Sequence, residues 1–312
     1  MKSKVLLLLL MVVAGGLIIF SFHADIPVEE LKKKYGGPPS EYVAVSGMEV
    51  HYRDEGLAED TLPLVLLHGT SSSLHTWDGW VDGLKDNHRV IRLDLPGFGL
   101  TGPFPDGNYG MAHYVSFLHS FLEKLGVRRC IIAGNSLGGQ IAWSFVAEYP
   151  HLATKLVLID AAGIKNESYQ PPLAFRVARI PVVKHSLAWL TPRPLARKSV
   201  EDVYAIPARV DDKLVDRYFE LTLREGNRKA MIDRLNWPED LATPEQLSRL
   251  SQPVLILWGR QDRLFPEACG RTFSDLLPHD TLVVLDGCGH VPMEECPEQS
   301  LQVLKSFLGK GL

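Results

Sequence analysis

Residues 134–138 read Gly-Asn-Ser-Leu-Gly. A serine hydroxyl is a weak nucleophile, so Ser136 becomes reactive only when a histidine takes its proton and a carboxylate holds that histidine in the right tautomer. The flanking glycines let a strand turn sharply into a helix, since side chains at Gly134 and Gly138 would crowd this nucleophile elbow. The partners expected further along the chain are Asp262, in Trp-Gly-Arg-Gln-Asp, and His290, in Gly-Cys-Gly-His. An oxyanion formed in acyl transfer needs two N–H donors. Leu137 at the start of the next helix is one candidate, and Thr70 in His68-Gly69-Thr70 is the other, with Ser71 as the fallback. Asp160 also ends an apolar run after the serine and is the main rival acid, whereas Asp94 precedes it and suits a turn. His68 is expected to pack at the base of its loop. The remaining histidines, His51 and His75 among them, lack a strand-end position and are expected to be solvated or structural.

These groups can meet only if the chain brings strand ends together. Apolar runs at 62–67, 89–93, 129–133, 156–159, 254–258 and 282–285 suit strands, several of them buried on both faces. Helical spacing appears at Tyr114, Phe117, Leu118, Phe121, Leu122 and Leu125, with Gly126 as a stop, and further helices are expected up to Tyr149, at 266–277 and at 297–308. Runs at 41–45 and 48–53 around Ser46-Gly47 read as a hairpin. Strands alternating with helices imply an α/β fold whose mostly parallel sheet is covered on both faces. Ser136, Asp262 and His290 then lie past the C-terminal ends of strands, where active sites of open α/β sheets assemble. Residues 162–250 lack such strand runs and read as an inserted helical cap. Its Arg176, Arg179 and Arg193 are carboxylate-binding candidates, with solvated surface the favoured alternative. Leu173, Phe175, Val182, Val183, Leu187 and Trp189 line an acyl pocket or, as the favoured alternative, pack the cap on the core. Trp77 and Trp80 are expected to anchor a helix to the sheet.

The separate motifs together resemble the α/β-hydrolase superfamily from about residue 40 to the C-terminus. They are Leu-Leu-His-Gly-Thr at 66–70 with Trp77, Asp-Leu-Pro-Gly-Phe-Gly at 94–99, Gly-Asn-Ser-Leu-Gly-Gly at 134–139, Trp-Gly-Arg-Gln-Asp at 258–262, and Gly-Cys-Gly-His-Val-Pro-Met-Glu at 287–294. The resemblance implies an eight-stranded sheet and a triad of Ser136, Asp262 and His290, in the family's chain order. Asn135 and Gly139 also resemble the carbon–carbon bond hydrolases of ring-cleavage products. A serine at the elbow sets aside the dehalogenase and epoxide hydrolase branches, which attack with a carboxylate. Three readings stay open, because one fold serves many activities. The leading one is hydrolysis of a carboxylic ester or related acyl bond of a small or lipid-like substrate. The others are carbon–carbon bond hydrolysis by the same triad and a catalytically silent binding protein.

The 312 residues are 46% apolar and 22% charged with a formal net charge of -4, ordinary globular usage without a clustered basic surface for nucleic acid. No Cys/His spacing suits a metal, and no cofactor is expected. The N-terminus departs from this pattern. Lys2 and Lys4 precede an apolar run that extends to Phe22, and its eighteen residues from Val5 reach roughly 27 Å as a helix, just enough to span a bilayer core. Phe22 fits a signal-peptidase site poorly, so an uncleaved signal-anchor is expected over a cleaved, secreted form. The nearby lysines favour a cytoplasmic N-terminus and a catalytic domain on the periplasmic or other non-cytoplasmic side, although Lys32, Lys33 and Lys34 follow the run closely. A bridge between Cys288 and Cys296 is possible there, and Cys130 reads as a small buried hydrophobe. The expected organisation is anchor 1–23, linker 24–40, core 41–161, cap 162–250 and core 251–312.

Overall fold

The apolar runs pair into one sheet in the computed structural model, which describes residues 22–165, 171–180, 189 and 191–309. The strands are β1 (Ser40–Val45), β2 (Met48–Gly56), β3 (Leu64–Leu67), β4 (Arg89–Leu93), β5 (Cys130–Asn135), β6 (Ala153–Ile159), β7 (Val254–Gly259) and β8 (Asp280–Leu285). Their order is β1-β2-β4-β3-β5-β6-β7-β8. β1 and β2 form the expected antiparallel hairpin, β2 also meets β4 antiparallel, and every later pairing is parallel. The sequence explains the layering: β3, β5, β6 and β7 are buried along their whole length, as strands covered by helices on both faces must be.

Twelve helices of the described residues flank or cap this sheet. In chain order they are α1 (Val28–Tyr35), α2 (Asp78–Leu84), α3 (Met111–Lys124), α4 (Leu137–Glu148), α5 (Leu173–Ala178), α6 (Arg193–Val203), α7 (Asp212–Thr222), α8 (Asn227–Leu235), α9 (Pro244–Ser248), α10 (Glu267–Leu276), α11 (Pro292–Glu295) and α12 (Pro297–Leu308). One apolar cluster lies on the side of α3, α4 and α10, and a second on the side of α2 and α12. Trp77 and Trp80 are fully buried in the second cluster, and Trp80 Nε1–H donates to Ser300 Oγ of α12 at 2.9 Å. They anchor, as the sequence suggests. Burial of this kind contributes about 1.5–3 kcal/mol for each large apolar side chain.

The excursion between β6 and β7 carries α5 to α9, so the inserted segment is helical as expected. Its last helix differs in role: Leu247 of α9 is fully buried in the core cluster and closes the fold rather than the cleft. Val182, Val183 and Leu187 lie outside the described residues. The stretch 24–40, expected as a linker, is instead structured by α1. Leu31 packs with Leu100 and Leu221, Asp25 bonds Arg228 through its Nε at 3.1 Å, and Ile26 N–H donates to Leu223 O at 2.8 Å. A small apolar cluster, with Leu31 at its centre and Ile26, Val28 and Tyr35 packed against it, and tertiary ion pairs hold this helix, so its polar composition misleads. The expected anchor lies outside the described residues, among which no helix is long and apolar enough to cross a membrane.

Candidate active site

β5 runs into Ser136 at φ 54°, and α4 begins at the next residue. A non-glycine residue rarely adopts this backbone region, and its use here turns the serine out of the sheet. Neighbours hold the strain: Ser136 N–H donates to Ile159 O at 3.1 Å, and Ser136 O accepts from Gln140 and Ala162 N–H at 3.0 Å each. A Cβ at Gly134 would collide with the Gly138 carbonyl, and one at Gly138 with the Leu67 carbonyl. Both glycines of the elbow are therefore required by close backbone approach. Leu137 is the first residue of α4, where free N–H groups and the helix dipole favour negative charge. Thr70 follows β3 and lines the same clefts as Ser136.

Asp262 follows β7 and His290 follows β8, and the two meet: His290 Nδ1–H donates to Asp262 Oδ2 at 2.7 Å. The other carboxylate oxygen, Oδ1, accepts from Leu264 N–H at 2.7 Å and Phe265 N–H at 3.1 Å. The acid is thus fixed by its own turn and the imidazole by the acid. His290 and Ser136 both line one cleft, without a hydrogen bond closing between them. Such contacts are often long before substrate binds.

Two residues, Asn135 and Glu295, hold this arrangement through contacts the sequence reading did not assign. Asn135 Nδ2 donates to His290 O at 2.8 Å and Ile159 O at 3.1 Å, tying the elbow to the histidine loop. Glu295 accepts from Gly289 N–H at 2.8 Å, while His290 N–H donates to Val203 O at 2.8 Å, so the cap also positions the histidine. Asp160, the rival acid, is not the partner of His290. It sits at φ 43° with Oδ1 accepting from Gly259 N–H at 2.9 Å and Oδ2 buried without a hydrogen-bond partner. Asp160, Asp262 and His290 each offer an atom within 4.8 Å of the others. Burial, then the charge of Asp262, pushes the Asp160 carboxyl well above the usual range.

Two clefts meet at the serine and share Thr70, Ser136, Phe175 and Leu264. The first, about 860 Å³, is walled by Leu195, Ala196, Val200, Val203 and Met231. The second, about 940 Å³, is walled by Gln140, Arg179, Arg234, Trp237, Glu239 and Asp240. Of the apolar cap candidates, Phe175 faces both, whereas Leu173 and Trp189 are half or more exposed. Arg193 is engaged by Asp216 and Asp212 on α7 and does not face the serine. His68 is structural: Nε2 accepts from Leu95 N–H at 2.9 Å, and burial lowers its pKa so that it stays neutral.

Residues 63–297 match the family model for the alpha/beta hydrolase fold, and the chain belongs to that family. It is a hydrolase, and the relatives it resembles divide by substrate. It is 29% identical over 86% of its length to an uncharacterised hydrolase, YugF, of Bacillus subtilis, covering 98% of that protein. It is 28% identical to a 2-hydroxy-6-oxo-2,4-heptadienoate hydrolase of Pseudomonas putida, over 85% of this chain and 95% of the relative. Among solved structures, a membrane phospholipase A described as a bacterial virulence factor superposes with a TM-score of 0.75 at 26% identity, over 99% of this chain and 98% of the other.

Proposed function

We propose that Ser136, Asp262 and His290 form a catalytic triad that hydrolyses a carboxylic ester with a hydrophobic acyl group. Ser136 Oγ attacks the ester carbonyl while His290 Nε2 takes its proton, and Asp262 orients the imidazole and stabilises its positive charge. The N–H groups of Leu137 and Thr70 receive the oxyanion. Collapse expels the alcohol, which takes the proton from His290 and leaves an acyl-serine. Water then attacks with His290 again as base, releasing the acid and restoring Ser136.

One observation carries the reading: an elbow serine at positive φ opens onto an apolar cleft that also receives an imidazole held at 2.7 Å by a buried aspartate. Ser136→Ala is expected to lower turnover of 4-nitrophenyl octanoate about 10⁶-fold with an unchanged denaturation midpoint. Undiminished turnover would contradict the role of Ser136.

The likeness to a membrane phospholipase A along nearly the whole chain supports a lipid-like ester and an N-terminal membrane anchor. The Cys288–Cys296 disulfide, with Cα atoms 6.1 Å apart, is consistent with a catalytic domain on an oxidising, non-cytoplasmic side. The 28% identity to a carbon–carbon bond hydrolase favours a second reading on the same triad. Paired assays on a ring-fission product and on the octanoyl ester separate the two by their kcat/KM.

A further inference from the structure

The two clefts that share Ser136 differ in character, the first mostly apolar and the second about evenly polar and apolar. An ester whose carbonyl lies at that serine must send its acyl chain one way and its alcohol the other. The arm walled by Leu195, Ala196, Val200, Val203 and Met231 suits hydrocarbon. The other contains Arg234, and there the surroundings are unusual.

Arg234 Nε is buried without a hydrogen-bond partner, and among the described residues no carboxylate lies within 4.0 Å of its guanidinium. Burial disfavours this charge and pushes its pKa down. A half-buried guanidinium with an unpartnered Nε is costly to keep, so one lining the same cleft as Ser136 is available to a ligand. Glu239 and Asp240 favour its charge from a distance, but neither lies within 4.0 Å of the guanidinium. Glu239 lies 3.7 Å from Arg179 Nη2 and serves that residue, and both Glu239 and Asp240 are exposed at the rim. Arg179 Nε–H donates to Leu235 O at 3.2 Å, which sets its head beside the end of α8 that carries Arg234.

We propose that this second arm binds an anionic group, a carboxylate or a phosphate, in the leaving part of the substrate, with Arg234 as the principal contact and Arg179 as its support. The planar fork of a guanidinium matches either oxyanion with two hydrogen bonds. The inference rests on the ester-hydrolase reading and narrows it to amphiphilic esters: hydrocarbon on the acyl side and negative charge on the alcohol side.

The test uses two matched pairs of octanoyl esters on the full chain: 4-(octanoyloxy)benzoate against its methyl ester, and 1-octanoylglycerol 3-phosphate against 1-octanoylglycerol. In Arg234→Gln the ratio of kcat/KM for the anionic over the neutral partner is expected to fall about tenfold or more, chiefly through KM, with partial recovery in Arg234→Lys. A fall in the first pair alone identifies a carboxylate ligand, and a fall in the second alone a phosphate. An unchanged ratio in both overturns the proposal. Should Arg234→Gln not fold, inhibition of neutral-ester turnover in the unaltered protein answers instead. Glycerol 3-phosphate or 4-hydroxybenzoate must then inhibit more strongly than glycerol or methyl 4-hydroxybenzoate, and equal inhibition within both pairs overturns the proposal. Failure of the underlying reading looks different: no ester of either kind is turned over, or turnover survives in Ser136→Ala.

Discussion

His51 and His290 each donate from Nδ1 to an aspartate Oδ2 at 2.7 Å, and each belongs to a Ser/His/Asp set. In the first, His51 Nε2 lies 2.8 Å from Ser40 Oγ, a hydrogen bond without a counterpart between His290 and Ser136. Their surroundings differ completely. Asp94 is fully buried and also accepts from Leu74 and Leu100 N–H at 2.7 Å each, so it fastens two loops to β2. Burial alone would raise its pKa, but His51, by charge and hydrogen bond, holds the carboxyl well below the ordinary range. Ser40 sits in extended strand and also accepts from Arg53 Nε–H at 3.1 Å. Neither Ser40 nor His51 lines the cleft of Ser136. Under the proposed function, a hydrogen-bonded Ser/His/Asp chain does not by itself make a nucleophile. Ser136 differs by its strained turn, the helix start behind it and the space in front of it.

The comparison yields opposite expectations for the two acids. Asp262→Asn is expected to lower kcat on 4-nitrophenyl octanoate about 10⁴-fold, because the amide selects the wrong imidazole tautomer. Its urea midpoint should move little. Asp94→Asn is expected to cost about 3–5 kcal/mol in urea unfolding, since it breaks a buried pair shared by three elements, while the folded fraction keeps its turnover. Comparable effects of the two substitutions on both measurements would dissolve the distinction.

Asp160 sharpens it further. Its raised carboxyl stays protonated in the fold, beside Asp262 and His290, but ionises in the unfolded chain near 3.8. Stability from that proton is complete below this value and is lost as pH rises toward the folded one. Asp160→Asn is isosteric and has nothing to ionise. It is expected to gain stability over the unaltered protein at about pH 8 relative to about pH 4. An equal difference at both pH values in urea titrations would show that Asp160 is ionised in the fold. The smallest effect belongs to Ser40→Ala, expected to cost about 1 kcal/mol or less with turnover unchanged. Lost turnover there would make the first set more than structural.

The sequence showed most of this division for a physical reason. Parallel strands put their C-terminal ends on one edge, so the strand-end positions of Asp262 and His290 were legible from apolar runs alone. The tethering contacts of Asn135 and Glu295 were not, because their partners come from loops adjacent only in the folded sheet. The same holds for His51, which the pattern leaves as an ordinary strand histidine. Arg234 was missed since the polarity of a cleft depends on which helix faces inward. α1 was missed because a small apolar cluster completed by Leu100 and Leu221, far away in the chain, and distant ion pairs hold it.

The central claim is that Ser136 alone is activated, and that His290 activates it. Mass spectrometry after fluorophosphonate treatment reads this directly. A single adduct on Ser136 is expected, with none on Ser40 and labelling that falls by orders of magnitude in His290→Ala. An adduct on another serine, or undiminished labelling of Ser136 without His290, would contradict it.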